Sequence, residues 1–368
     1  MKHKKENLVL TVAFCGLLGA MLLGYLFLPK LDFSQLEKRY LSEKPTVSWT
    51  NIASGSFGSE AESYMADHIP GRDFLVGLYS YYSRLTQGEA SQDIYVTSTG
   101  ALVESPVNEN TTATDKNMLY IQEFAETVGQ SVDFVLIPSA GWAGRDTLRG
   151  LCDPYRDAEI ISGIYARAGS HVNTLDMTHI FENRPELYYR TDHHWTSRGA
   201  YLAAKAYLEG QGRTIADENS FEKETVDSFY GSTYSRSGLW LTKPDSMELW
   251  HSSKSIRVET GNGIHEGPFY MQRLQELDKY TVFLDGNHAK VTLTNPDAPK
   301  GKLLVIRDSY ANCLGSFLAE GYETVVLVDL RYYKEPLSQL CAQEGFDRIL
   351  ICYSIGNFLT DTNLGFLR

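Results

Sequence analysis

The sequence predicts an α/β protein built on a parallel sheet, and two observations carry that reading. In the C-terminal third, three β-rich apolar runs, 302–309 (KLLVIRDS), 324–331 (TVVLVDLR) and 348–357 (RILICYSIGN), alternate with helical stretches at 310–320 and 335–345. A β-α-β-α-β succession requires crossover helices, hence parallel strands with ligands at their carboxyl ends. Earlier in the chain, VDFVLIPSA (132–140) is a continuous apolar run of the kind buried on both faces of such a sheet. It is followed by a helical stretch at 157–169 and a strand-like HVNTLDM at 171–177. No internal repeat or low-complexity tract interrupts the pattern.

The N-terminus comes next. Residues 1–7 carry Lys2, Lys4 and Lys5 against Glu6, a formal +2, and residues 8–28 (LVLTVAFCGLLGAMLLGYLFL) are 21 positions without a charged side chain. At about 1.5 Å rise per residue that run spans a bilayer core of about 30 Å. No small-x-small cleavage site follows, so a membrane anchor is favoured over a cleaved signal peptide. Lys-rich flanks stay in the cytoplasm, which places the remainder outside. Segment 1–29 is therefore read as cytoplasmic tip and anchor, and the body as extracytoplasmic on a single-pass membrane protein.

Between anchor and sheet, residues 30–60 are polar and broken by Pro and Gly, and read as a tether with an extended lead-in. Residues 61–88 look helical around a Pro70-Gly71 turn, with Tyr64, Leu75, Leu78 and Tyr81 recurring at helical spacing. A second helix is expected at 115–129, with Leu119, Phe124 and Val128 on one side, and a third, Ala-rich, at 197–212. Residues 213–299 hold short alternating pieces and read as a β-rich insertion of hairpins and loops. The main domain thus runs 61–368.

Composition bounds the rest. With 43% hydrophobic, 12% aromatic and 22% charged residues the chain is an ordinary folded protein, not disordered or collagen-like and not a multi-span membrane protein. The net charge of −12, or −14 with the +2 tip set aside, argues against nucleic acid as a partner. Five cysteines show no CxxC pair and no zinc spacing: Cys15 lies in the apolar run, and Cys313, Cys341 and Cys352 read as small buried hydrophobes. No cofactor is called for.

The residues that carry chemistry are Ser309 and the block TDHHWTSRG at 191–199. Ser309 follows a strand and precedes a helix, so its hydroxyl either caps that helix or stands ready as a nucleophile where free N–H groups favour an oxyanion. A serine needs a base with an orienting carboxylate to take its proton. Asp192 and His194 supply both, with His193 as the alternative base; a hydrogen-bonded loop or a metal site at 192–194 is the competing reading. Arg331 at a strand edge fits either an anionic group on a ligand or an ion pair with Asp329 or Asp308. Trp195 fits either a stacked sugar ring or a buried anchor for the 197–212 helix. Asn287 and His288 in FLDGNH either approach this edge or merely form a turn. Asp67, Arg72 and Asp73 read as a local ion-pair cluster.

Read cyclically, these segments resemble the SGNH hydrolases. LLVIRDS looks like the Gly-Asp-Ser strand, ILICYSIGN like the strand carrying an Asn, VDFVLIPSA like the strand after it, and the 192–195 tetrapeptide like the Asp-His block. Read linearly the chain is circularly permuted, as in the alginate O-acetylation proteins. It most resembles the DHHW-type proteins of Gram-positive bacteria, through EKRYLSEKP (37–45), DHIPGRDF (67–74), DHHW (192–195), YGSTYSRSG (230–238), FLDGNH, IRDSYAN and VDLRYY. The resemblance implies Ser309 as nucleophile, His194 as base, Asp192 as its orienter and Asn357 as oxyanion-hole donor; Arg331, His193 and Trp195, read from the residues themselves, are the candidates for substrate binding. Two departures stand out: Arg307 replaces the usual Gly before Asp-Ser, and Gly356-Asn357 lacks the intervening residue of Gly-x-Asn. The activity implied is O-acetyl transfer to a cell-envelope or secreted polysaccharide through an acyl-serine, with a membrane-bound O-acyltransferase as donor. The alternatives are a carbohydrate esterase and a non-catalytic glycan-binding protein on the same fold.

Overall fold

A computed structural model describes residues 2–367 except 35, 36, 38, 87, 89–92 and 149–151, so Lys38 of the 37–45 motif and position 87 at the end of the 61–88 segment lie outside the described residues. The apolar N-terminal run forms helix α1 (Lys2–Phe27), whose stretch from Lys5 to Phe27 is long and apolar enough to cross a membrane and is not buried against the rest of the protein.

The main body comprises α2 (Thr111–Val128), β1 (Val132–Ile137), α3 (Asp157–Tyr165), β2 (Val172–Thr174) and α4 (Ser197–Gly210). A two-stranded ladder follows, β3 (Glu222–Phe229) with β4 (Asp245–His251), and between them lies the short helix α5 (Ser232–Ser237). Then come β5 (Arg257–Thr260), β6 (Gly263–Glu266), β7 (Lys290–Thr294), β8 (Lys302–Arg307), α6 (Ala311–Leu318), β9 (Thr324–Val328), α7 (Leu337–Glu344), β10 (Arg348–Ser354) and α8 (Ile355–Thr360).

Eight of these strands make one sheet in the order β6-β5-β7-β9-β8-β10-β1-β2. The five from β9 to β2 run parallel, and β7, β5 and β6 extend the β9 edge antiparallel. Counted from β8, the parallel strands take the doubly wound order second-first-third-fourth-fifth, with the chain entering at the fourth. That is the permutation expected from the sequence, and the fold is a mixed α/β sheet of SGNH type. Part of the 213–299 stretch is thus not appended to the sheet but continues it.

Strand alternation supplies both faces. Leu303, Val305, Val325, Leu327 and Leu350 face one core with Ala203, Ala204 and Leu208 of α4 and Phe317 of α6. Leu304, Ile306, Val326, Val328 and Ile351 face the other with Ile121 and Phe124 of α2, Ile164 of α3 and Leu340 of α7. Full burial on both sides explains why these strands read as unbroken apolar runs.

Several expectations need correcting. The lead-in is not simply extended: Ser48 accepts the N–H of Asn51 and caps a helix over Trp49–Ser54, and a second begins at Ser56 after Gly55 turns the chain at φ +82°. The 61–88 stretch is two helices broken at the Pro70-Gly71 turn, but Leu75 and Leu78 are exposed, because that helix buries its small face of Gly77, Ser80 and Ser83. In α2 Leu119 faces solvent while Met118, Ile121 and Phe124 are inside. The run RILICYSIGN ends as a strand at Ser354, whose hydroxyl accepts the N–H of Asn357 at 3.4 Å and starts α8.

Candidate active site

The carboxyl ends of the parallel strands converge on Asp308. Its Oδ1 accepts the N–H of Tyr310 at 3.0 Å, and its Oδ2 accepts the N–H and hydroxyl of Ser354 and the side-chain amide of Asn357, each at 2.8 Å. One carboxylate thereby ties the end of β8 to the end of β10 and fixes the backbone on both sides of Ser309.

Ser309 sits in the turn between β8 and α6. Tyr310, not Ser309, is the N-cap residue, and no side chain among the described residues caps that helix. The serine hydroxyl instead lies 2.8 Å from Nε2 of His194, whose Nδ1 lies 2.5 Å from Oδ1 of Asp192. The backbone N–H of His194 donates to the same oxygen at 2.9 Å. Since the carboxylate can only accept, the imidazole carries its proton on Nδ1 and presents a bare Nε2 to the serine. The ring of Tyr280 stacks on His194 with centroids 3.9 Å apart and planes 11° from parallel, which limits rotation of the base.

The other carboxylate oxygen of Asp192 accepts the N–H of Ser232 at 2.6 Å and its hydroxyl at 3.0 Å, both from the start of α5. Burial opposes ionisation of Asp192, but the two histidines and the Ser232 N–H outweigh it and hold the carboxyl well below its usual range. His193 lies beside His194, ring centroids 3.9 Å apart, and Nδ1 meets the Ser232 hydroxyl at 2.5 Å. Burial first, and then the neighbouring His194, lower its pKa below the ordinary histidine value. The potential ligand atoms of Asp192, His193 and His194 lie within 4.8 Å of one another. Both ring nitrogens of His194 and both oxygens of Asp192 are already engaged by protein groups.

These groups line a cleft of about 720 Å³, which also takes in Asn287, Asn357, Arg236 and Arg331. Arg331 is clamped by Asp329 through Nε at 2.9 Å and Nη2 at 2.6 Å, so the structural ion pair is formed while the guanidinium still borders the cleft. Asn357 borders it too, but its amide is turned to Asp308. Of FLDGNH, Asn287 reaches the cleft, whereas His288 turns back to Asp285 at 3.2 Å. The Oδ1 of Asn287 accepts from Arg307 at 3.1 Å and from Asn312 at 3.0 Å, which leaves its amide N–H groups free of those two partners. The N–H of Ser309 has no hydrogen-bond partner among the described residues.

Of the two readings of Trp195, stacking on a sugar fails and the buried anchor holds. Trp195 has no accessible surface: it is stacked against Phe181 and donates Nε1–H to the carbonyl of Tyr310 at 3.1 Å. It anchors the Asp-His block to the serine turn and offers no face to a sugar. Arg307, where a glycine was expected, is fully buried behind the serine with Asp329 at 3.5 Å. Burial lowers its pKa, opposed by Asp329. Sequence reasoning gave no role to Ser232, Gly231 or Tyr280. The only signal was the segment 230–238, because the contact of Ser232 with Asp192 joins positions 40 apart.

Among curated proteins no sequence match is found. Solved structures are more informative about the fold. A DHHW family protein from Eubacterium siraeum matches with a TM-score of 0.61 at 21% identity, over 75% of this chain and 97% of that one. PatB1 of Bacillus cereus, solved with a sulfonyl adduct, matches with a TM-score of 0.63 at 18% identity, over 75% and 98%. The O-acetyltransferase domain of Pseudomonas putida AlgJ is a more distant likeness, with a TM-score of 0.45 at 15% identity over 73% and 92%. The family model described as DHHW protein matches residues 145–328, half of the sequence, a stretch holding the 192–195 tetrapeptide, Ser232 and Ser309. The chain belongs to the DHHW protein family.

Proposed function

We propose that the protein is an extracytoplasmic acyl-ester enzyme, an O-acetyltransferase acting on a cell-envelope or secreted polysaccharide, held at the membrane by α1. The observation that carries this reading is the unbroken hydrogen-bonded run from Ser309 Oγ through His194 to Asp192. A protein that only bound glycan would have no use for a serine hydroxyl aimed at a bare imidazole nitrogen rather than at the helix it precedes.

In this reading Ser309 Oγ attacks the acetyl carbonyl of a donor ester as its proton passes to His194 Nε2, and the imidazolium is stabilised by Asp192. The oxyanion is met by the N–H of Ser309 together with amide N–H groups of Asn357 or Asn287. His194 then returns the proton to the departing alcohol, leaving acetyl-Ser309. A sugar hydroxyl in the cleft next gives its proton to His194 and attacks the ester, and Ser309 leaves with that proton. A membrane-bound O-acyltransferase is a suitable donor, because α1 would hold the cleft near it. That a member of the same fold is described with a sulfonyl adduct supports an activated nucleophile, since sulfonyl reagents are captured by such groups. Water as acceptor would make the same machinery an esterase, and the reaction is decided by whether a glycan outcompetes it.

The test is acetyl transfer from a chromogenic acetyl ester to oligosaccharides by the full chain in detergent. Transfer lost in both Ser309→Ala and His194→Ala is expected. Ester release with no acetylated sugar would identify an esterase, and neither product from folded protein would remove the enzyme reading.

A further inference from the structure

The proton count along Asp192, Ser232 and His193 fixes the state of the second histidine. Ser232 has one hydroxyl proton, and it goes to Oδ2 of Asp192 at 3.0 Å, since a carboxylate cannot donate. The hydroxyl oxygen, 2.5 Å from Nδ1 of His193, must therefore accept the ring proton. A neutral His193 consequently carries its proton on Nδ1 and has a bare Nε2. That nitrogen has no partner among the described residues, and the half-buried ring borders the cleft. The backbone carbonyl of His193 is held by the hydroxyl of Tyr310, so the ring is fixed from both ends.

Asp192 thus orients two imidazoles at once: His194 directly through Oδ1 and His193 through Ser232 on Oδ2. Before acylation the Nε2 of His194 is occupied by the Ser309 hydroxyl. Once Ser309 is esterified, that hydroxyl proton is gone, and two bare Nε2 atoms remain on adjacent rings, centroids 3.9 Å apart, that both border the cleft. Two adjacent hydrogen-bond acceptors match two adjacent hydroxyl groups on one sugar ring.

We propose that His193 is the acceptor-selecting residue of this site, its Nε2 receiving a hydrogen bond from the hydroxyl next to the one acylated, so that vicinal diols are preferred over lone alcohols and water. The inference rests on the acyl-Ser309 reading above. In the transfer step the hydroxyl facing His194 loses its proton to Nε2 and forms the new ester bond, while the hydroxyl facing His193 keeps its proton and only orients the sugar. A site that hydrogen-bonds a hydroxyl discriminates against the analogue lacking it, because its own polar group is then left unpaired.

The test uses the full chain in detergent with 4-nitrophenyl acetate as donor and two acceptors, a methyl hexopyranoside and its counterpart lacking the neighbouring hydroxyl. Nitrophenolate burst amplitude reads acylation of Ser309, and mass spectrometry of the sugars reads transfer. In wild-type protein the diol is acetylated about tenfold faster than the deoxy sugar, the worth of one well-placed hydrogen bond. His193→Phe still gives a burst but acetylates both sugars at the slower rate, and His193→Gln, whose side-chain carbonyl can accept, recovers part of the preference. A wild type with a burst but no diol preference, or a His193→Phe variant that keeps it, overturns the inference. Nitrophenolate release by folded wild type no faster than by Ser309→Ala refutes the acyl-serine reading itself, and release lost in His193→Phe with wild-type melting reassigns His193 to the acylation step.

Discussion

A Cβ atom placed on Gly231 would lie 2.1 Å from the Cβ of Asp192 and 2.3 Å from its Oδ2. The backbone at the start of α5 can therefore donate to the carboxylate only because that residue has no side chain. Gly231→Ala must push α5 or Asp192 away, at about 1–3 kcal/mol in stability. Because displacement of an orienting group by about 1 Å lowers turnover by about a hundredfold, ester hydrolysis should fall further than denaturant stability suggests. Chemical denaturation and kinetics on one preparation check both.

Asp192→Asn keeps the size of the side chain but lets an amide N–H face His194. The imidazole then adopts the tautomer with its proton on Nε2, and Ser309 loses its base. Turnover is expected to drop by about three to four orders of magnitude while the fold is retained. A variant of near-wild-type activity and unchanged circular dichroism would remove Asp192 from the mechanism.

Much of this arrangement was readable from the chain, for reasons specific to the elements. The strands 132–137, 302–307, 324–328 and 348–354 are buried on both faces, so their apolar runs are unbroken and their cyclic order could be matched. Ser309, His194 and Asp192 were legible because a strand-to-helix serine and an Asp-x-His block are both local patterns. Ser232 and Tyr280 were not, since they meet the histidines only through folding of the intervening chain. The reading of Trp195 was left open by the residues alone: burial between Phe181 and the serine turn is set by tertiary packing. Leu75 and Leu78 misled because helical periodicity reports a face without saying whether that face turns inward.

Arg307 is the departure from the expected glycine, and its Nη1–H supports Oδ1 of Asn287. Removing one partner of a buried ion pair is costly mainly when the other charge is left uncompensated. Asp329 keeps Arg331 as a partner, so Arg307→Met should melt within a few degrees of wild type. Asn287 is then left with only Asn312, and the acylation rate should fall about tenfold, the worth of a loosened oxyanion donor. Pre-steady-state burst kinetics beside a melting curve separate these effects.

His193 also gives the protein an acid-sensitive term. Its pKa is lowered in the folded state, by burial first and by His194 next, against about 6.5 when unfolded. The unfolded chain therefore binds the proton more readily in that window. The stability contributed by neutral His193 is fully present above about pH 6.5 and is lost as pH falls through the lowered folded value. Denaturant unfolding from pH 7 downward should show wild type losing more stability than His193→Gln. Parallel curves would contradict the assignment.

Trp195→Phe removes the donor to the Tyr310 carbonyl, and one buried unsatisfied acceptor is worth about 1–3 kcal/mol. Melting temperature should fall, whereas KM for a glycan acceptor should stay within about twofold, because the ring has no accessible surface to offer a ligand. A large KM change at unaltered melting temperature would return Trp195 to the substrate site.

The central claim, that Ser309 is a nucleophile activated by His194, is tested most directly by treating the full chain with a serine-directed sulfonyl fluoride and locating the adduct by mass spectrometry. A single adduct on Ser309, absent in Ser309→Ala and strongly slowed in His194→Ala, is the result this account predicts. Folded wild-type protein that gains no adduct on Ser309, or that is labelled equally fast without His194, would contradict it.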